Sequence, residues 1–136
     1  MQVNVTVAPP HAIDLIWQEV WPLLSEAVAQ SVICDEKSLM DDISKEACFL
    51  LLAQVDGVLS GVAVIGFIEG STRVADVQFL GGKDFKSWSK QMNQAVDIVA
   101  KTEQCSHIIA HGRKAWSRLW KDYNNSGKIL FTKQVA

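Results

Sequence analysis

Hydrophobic and polar positions change period repeatedly along the chain, and each change predicts a new element. Residues 3–7, VNVTV, alternate strictly as a half-buried strand does. Pro9 and Pro10 then end the ladder, because proline brings no donor. From Ala12 the apolar residues fall at Ile13, Ile16, Trp17, Val20, Leu24 and Val28, the stripe of an amphipathic helix. Pro22 interrupts this stripe and predicts a kink or two short helices. A second helix is expected after Asp35 or Ser38, either of which can cap it, with Leu39, Met40 and Ile43 inward.

Between residues 47 and 80 the pattern is that of strands. ACFLLLAQV and VLSGVAVIGFIE meet at Asp56-Gly57, a hairpin signal, and Glu69-Gly70-Ser71-Thr72 turns the chain into RVADVQFL. Three consecutive antiparallel strands result, with Gly61 and Gly66 marking a bulge or a close backbone approach. The glycine-rich loop GGKDF (81–85) opens a helix with Trp88, Met92, Ala95, Val96 and Val99 on one face. A short strand at 106–111, a basic helix at 114–123 and a last strand at 128–135 follow. The order β, α, α, β, β, β, α, β, α, β predicts a single α/β (α+β) domain over 1–136. Its mixed sheet carries an antiparallel meander, helices on both faces, and a right-handed parallel strand-helix-strand unit over 73–111.

Composition narrows the classes. A hydrophobic content of 49% and a charged content of 21% are ordinary for a globular domain. The apolar run VAVIGFI (62–68) is too short to span a bilayer, and MQVNVTVAPPH lacks the pattern of a signal peptide. Cys34, Cys48 and Cys105 form no metal or redox spacing and read as free thiols. Residues 1–80 hold three Lys/Arg and eleven Asp/Glu, whereas 81–136 hold ten and four, so −8 and +6 make the net −2. An anionic ligand would meet the second half.

Three motifs carry a family resemblance. IWQEVWPLL (16–24), GGKDFKSW (81–88) and GRKAWSRLWKDY (112–123) resemble, in order and spacing, segments of small phage-encoded members of the GCN5-related N-acetyltransferase (GNAT) fold. The predicted element order resembles that fold over nearly the whole chain. The resemblance implies a phage-encoded protein related to acetyl-CoA-dependent N-acyltransferases, with an unknown amine as acceptor. Its alternative is a non-catalytic virion, tail-associated or host-interaction protein on the same fold. It further implies residence in the cytoplasm of a bacterial host, or in a virion, and leaves room for a homo-oligomer.

In that family the loop after the third meander strand holds the pyrophosphate of acetyl-CoA. Here the acyl-CoA-binding candidates are Leu80, Gly81, Gly82, Lys83, Asp84 and Phe85, with Arg113 and Lys114 on the far wall. Helix N-terminal amides attract anions, and glycines let the backbone approach them. GGKDF departs from the usual [RQ]-x-x-G-x-[GA] loop in its adjacent glycines and its Asp84, which a tight turn capped by Asp84 would also explain. The family's acid tyrosine is replaced by Trp120, whose indole donates but cannot act as an acid, leaving Tyr123 as the candidate. Asp76 and Glu69 are candidates for the base.

No metal is expected, since His107 and His111 would stand about 13 Å apart along a strand. Trp116 and Trp120 in a basic helix could stack on bases, but that spacing is commoner in packing anchors.

Overall fold

The computed structural model describes residues 1–111, 124–125 and 130–135. Among these residues seven strands form one sheet: β1 (Val3–Val7), β2 (Cys48–Val55), β3 (Val58–Glu69), β4 (Arg73–Gly82), β5 (His107–His111), β6 (Asn124–Asn125) and β7 (Leu130–Gln134). The order is β1-β2-β3-β4-β5-β7-β6, and every neighbouring pair is antiparallel except β4–β5. The expected meander and parallel crossover are both present. The two-residue strand β6 was not anticipated, and the expected basic helix at 114–123 lies outside the described residues.

Local chemistry explains the elements. At the β2–β3 hairpin Asp56 and Gly57 both take positive φ, 51° and 82°, as a two-residue turn between right-twisted strands requires. Helix α1 (Ile13–Ala29) follows a 3-10 turn at Pro10–Ala12 and is one helix through Pro22, not the two short helices that were one of the expected outcomes. Pro22 and Gln18 are both exposed, so water can solvate the carbonyl that proline leaves without a helical donor. Asp35 caps α2 (Glu36–Ser44) through a capping box: it accepts from the Ser38 N–H, while Ser38 Oγ accepts from the Asp35 N–H. The bond from the Ser38 backbone holds the Asp35 carboxyl below its ordinary pKa.

Helices α1 and α2 cover one face of the sheet. Ile13, Trp17, Val20, Leu24, Leu39 and Ile43 there meet Leu50, Val62 and Val64. Helix α3 (Phe85–Thr102) covers the other, where Trp88, Met92, Val96 and Val99 meet Leu51, Ala63, Ile65, Ala75, Val77 and Ile108. The cysteines are free, and burial pushes the Cys48 thiol up to about 12.

Two glycines and one tryptophan join α3 to the sheet. A Cβ at Gly61 would stand 2.3 Å from the Trp88 indole. A Cβ at Gly82 would stand 2.3 Å from the Ser60 carbonyl oxygen and 3.0 Å from that indole. Trp88 is fully buried in this notch, and its Nε1–H donates to the Lys83 carbonyl at 2.7 Å. The β2–β3 register slips beside it, leaving Ser60 unpaired between Leu59 and Gly61, so Gly61 sits at a bulge as expected. Gly66 instead lies under the Gln78 side chain, a close approach.

Gly61→Ala should therefore lower unfolding free energy by about 1–3 kcal/mol through overpacking, and Trp88→Ala by about 3–5 kcal/mol through a cavity. Urea unfolding of the double variant should show less than the sum, because the smaller side chain removes the clash. Strict additivity would contradict this packing.

Candidate functional site

The candidate site lies where β4 and β5, the two parallel strands, part company. Their ladder pairs Val74 with His107, Ala75 with Ile108, Asp76 with Ile109 and Val77 with Ala110, and extends no further among the described residues. His111 continues β5 and still pairs with Leu130 of β7, but no longer with β4. At the same level β4 carries a bulge. Ile65 pairs with Val77 and Val64 with Phe79, which leaves Gln78 as an extra residue. A bulge bends its strand and increases the local twist.

The bulge also exchanges the faces of the strand. Ala75 and Val77 point into the α3 core; beyond Gln78, Phe79 packs on the α1–α2 side and Leu80 on the α3 side. The carboxyl ends of parallel strands that separate are where open α/β sheets receive ligands.

Asp76 stands two residues before the bulge, opposite Gly66 of β3 and Ile109 of β5. It is half-buried, with Oδ1 inaccessible to solvent. Since Ala75 and Val77 face α3, Asp76 projects to the opposite face. Gln78 shares that face, because a Cβ at Gly66 would come 2.2 Å from the Gln78 Nε2. A carboxylate and an amide thus border the opening from one side.

Glu69 is placed elsewhere. It pairs with Arg73 at the β3–β4 turn, and Arg73 also reaches Glu103 and lies over the Phe67 ring. Ten residues of strand, about 33 Å, separate Arg73 from Lys83. Asp76, rather than Glu69, adjoins the opening.

At the other end of the opening β4 leads through Lys83 and Asp84 into α3. Leu80 is half-buried against the α3 core. Gly81 is buried against α1, where a Cβ would stand 1.9 Å from the Leu23 carbonyl oxygen. Gly82 has φ 145° and faces Ser60 and Trp88. Both glycines therefore serve close packing of the scaffold.

The Lys83 N–H donates to the Ser60 carbonyl at 2.8 Å and the Ser87 N–H to the Asp84 carbonyl at 2.8 Å, so these two amides are used within the protein. Asp84 is the α3 N-cap in a left-handed conformation, φ 53° and ψ 52°, and its side chain makes no capping bond. The cap expected of Asp84 is thus one of backbone position alone. Phe85 is half-buried against Trp88 at 4.9 Å between ring centroids, while the Lys83 and Lys86 side chains are exposed at the helix start. Tyr123, Arg113 and Lys114 lie outside the described residues, as does Trp120.

Gln78 was missed by sequence reading, yet a signal exists. In Val77-Gln78-Phe79-Leu80 the alternation slips by one residue, which is the mark of a bulge. Among the described residues no group of three or more His, Cys, Asp or Glu could hold a metal ion, and no helix is long and apolar enough to cross a membrane.

No family model and no curated protein sequence matches the chain. Solved structures do. A GNAT-family acetyltransferase from Streptococcus pneumoniae is 13% identical, with a TM-score of 0.63 over 98% of this chain and 100% of that one. A predicted acetyltransferase from Clostridium acetobutylicum, solved with acetyl-CoA, is 12% identical, with a TM-score of 0.63 over 92% and 90%. Glucosamine-6-phosphate N-acetyltransferase from Arabidopsis thaliana is 10% identical, with a TM-score of 0.66 over 93% and 95%. None of the three is a phage protein, so the origin implied by the motifs has no support among them. These likenesses, over nine-tenths or more of the chain, show that it has the GNAT fold.

Proposed function

We propose that the protein is an acyl-CoA-dependent N-acyltransferase that binds its thioester between β4 and β5. The observation that carries this reading is the end of their ladder at Val77 and Ala110, beside the Gln78 bulge. Strand residues beyond that rung have backbone groups to offer an extended ligand. The pantetheine arm would run along β4 from the start of α3 toward the bulge, a path of about 13 Å over four residues. Its pyrophosphate end would lie at the first turn of α3, where the helix dipole and the exposed Lys83 and Lys86 favour negative charge. Arg113 and Lys114 would add positive charge from the segment after β5.

The reaction balances without a redox partner. The acceptor amine attacks the thioester carbonyl carbon, a C–N bond forms, the C–S bond breaks, and coenzyme A leaves as a thiolate. Asp76 is assigned the proton lost by the amine nitrogen, directly or through one water, and Gln78 is assigned the orientation of the acceptor on the same face. Tyr123 is assigned the proton delivered to the thiolate. Trp120 cannot supply it, since its indole is a donor only and no acid near neutral pH.

Calorimetric titration with acetyl-CoA should give saturable binding, and a thiol-release assay over a panel of primary amines should give turnover. No heat at millimolar acetyl-CoA would reject the reading. Asp76→Asn should lower turnover by about 10²–10⁴-fold, the usual share of a general base, with acetyl-CoA affinity nearly unchanged. An unaltered rate would remove Asp76 from that role.

The two kinds of loop residue should separate. Lys83→Glu should weaken acetyl-CoA binding by about tenfold or more at constant melting temperature. Gly82→Ala should instead lower the melting temperature, because its Cβ would meet the Ser60 carbonyl. Gly82→Ala with wild-type stability would contradict the packing role.

A further inference from the structure

The strand β1 forms the edge of the sheet remote from the opening, with β2 as its one neighbour among the described residues. Register fixes which of its backbone groups point outward. The Asp56 N–H donates to the Gln2 carbonyl and the Ala8 N–H to the Leu50 carbonyl, each at 2.8 Å. Hydrogen-bonded and non-hydrogen-bonded residues alternate in an antiparallel pair. Gln2, Asn4, Thr6 and Ala8 therefore aim their backbone groups at β2. Val3, Val5 and Val7 aim theirs away from the sheet.

Among the described residues this edge carries no bulge, no charge and no covering element. The β1–β2 ladder runs from Val3–Val55 to Val7–Leu51 without a bulge. No proline and no charged side chain occurs from Gln2 to Ala8; Pro9 and Pro10 stand just beyond the end. Natural edges are commonly blunted by charge, bulge, proline or cover. Three N–H and three C=O groups are presented instead in an even row.

The row is complementary to itself. A second β1 laid antiparallel with Val5 opposite Val5 brings Val3 opposite Val7 at both ends. Each of the three opposed pairs then exchanges two hydrogen bonds, and all six groups are satisfied. Slipping the register by two residues loses one of these pairs, and slipping it by one sets outward groups against inward ones.

The side chains agree with the same register. Val3 and Val5 are half-buried on the α3 face and Val7 is 46% exposed, so valines of two copies would meet as β-branched cross-strand neighbours. On the other face the exposed Asn4 would stand opposite Thr6, a polar pair.

We propose that β1 pairs with β1 of a second copy of this chain about a twofold axis at Val5. Two seven-stranded sheets become one of fourteen strands. The contact is isologous and closed, so it yields a dimer and no filament. Five residues per strand make a small interface, and the dimer is expected to dissociate on dilution. The proposal stands independently of the acyl-CoA reading.

Sedimentation velocity and amide hydrogen exchange on the full chain test it together. Between micromolar and submillimolar concentration the mass should shift from one chain to two. The Val3, Val5 and Val7 amides should be protected at the high end and exchange on dilution, while those of Asn4 and Thr6 stay protected throughout. Val5→Pro removes a donor that only the second copy uses, and should give single chains with a melting temperature close to wild type. Val7→Lys, at the more exposed position, should likewise reduce the dimer fraction. A single-chain mass at every concentration overturns the proposal. A dimer whose odd-numbered β1 amides exchange freely, or one that both variants leave intact, overturns it too.

Discussion

The Trp88 indole, seated in a notch that only glycine at 61 and 82 can leave open, fixes the relation between α3 and the sheet. Its Nε1–H ties the helix to the Lys83 carbonyl, so the last residues of β4 and the first turn of α3 move as one piece. On the opposite face Gly81 lets the α1 backbone approach so closely that the Leu23 carbonyl occupies the space of a side chain. Three small residues within one stretch of the sheet thereby locate both helical layers. A Cβ at any of them would collide with the Trp88 indole, the Leu23 carbonyl or the Ser60 carbonyl.

That rigid corner gives the β4 bulge its consequence. With the start of α3 held against β3 and β4, the extra residue at Gln78 is not absorbed by movement of the helix. It lies level with the end of the β4–β5 ladder. The same extra residue exchanges the faces of Phe79 and Leu80, so both cores stay filled while the parallel strands separate. Asp76 and Gln78 fall on one side of the opening and the exposed Lys83 and Lys86 at its end. The order of groups along β4 is polar at the bulge and cationic at the helix.

Most of the fold was legible because it rests on periodicity and turn chemistry. The stripe Ile13, Trp17, Val20, Leu24 and Val28 is buried as read, and the Asp56-Gly57 turn and the Asp35 cap stand where residue types require them. Pro22 does not divide α1, because the cost of proline depends on whether the orphaned carbonyl reaches water, and exposure is a tertiary property. The site was less legible for the same kind of reason. Gly81-Gly82 resembles a phosphate loop in sequence, and the packing of its glycines against Leu23, Ser60 and Trp88, contacts that span up to 58 residues of chain, is visible only in the fold. Glu69 and Asp76 were equal as carboxylates near strand ends; only the register places one beside the opening and the other in an ion pair with Arg73.

The central claim is that the parted ends of β4 and β5, with the first turn of α3, form the acyl-CoA site. Its most direct test is a titration of the amide spectrum of the protein with a non-hydrolysable thioether analogue of acetyl-CoA. Perturbations confined to Asp76–Lys86 and the end of β5, with β1 and α2 unchanged, are what this account predicts. A spectrum unaltered in that stretch, or one altered chiefly on α1 and α2, would contradict it.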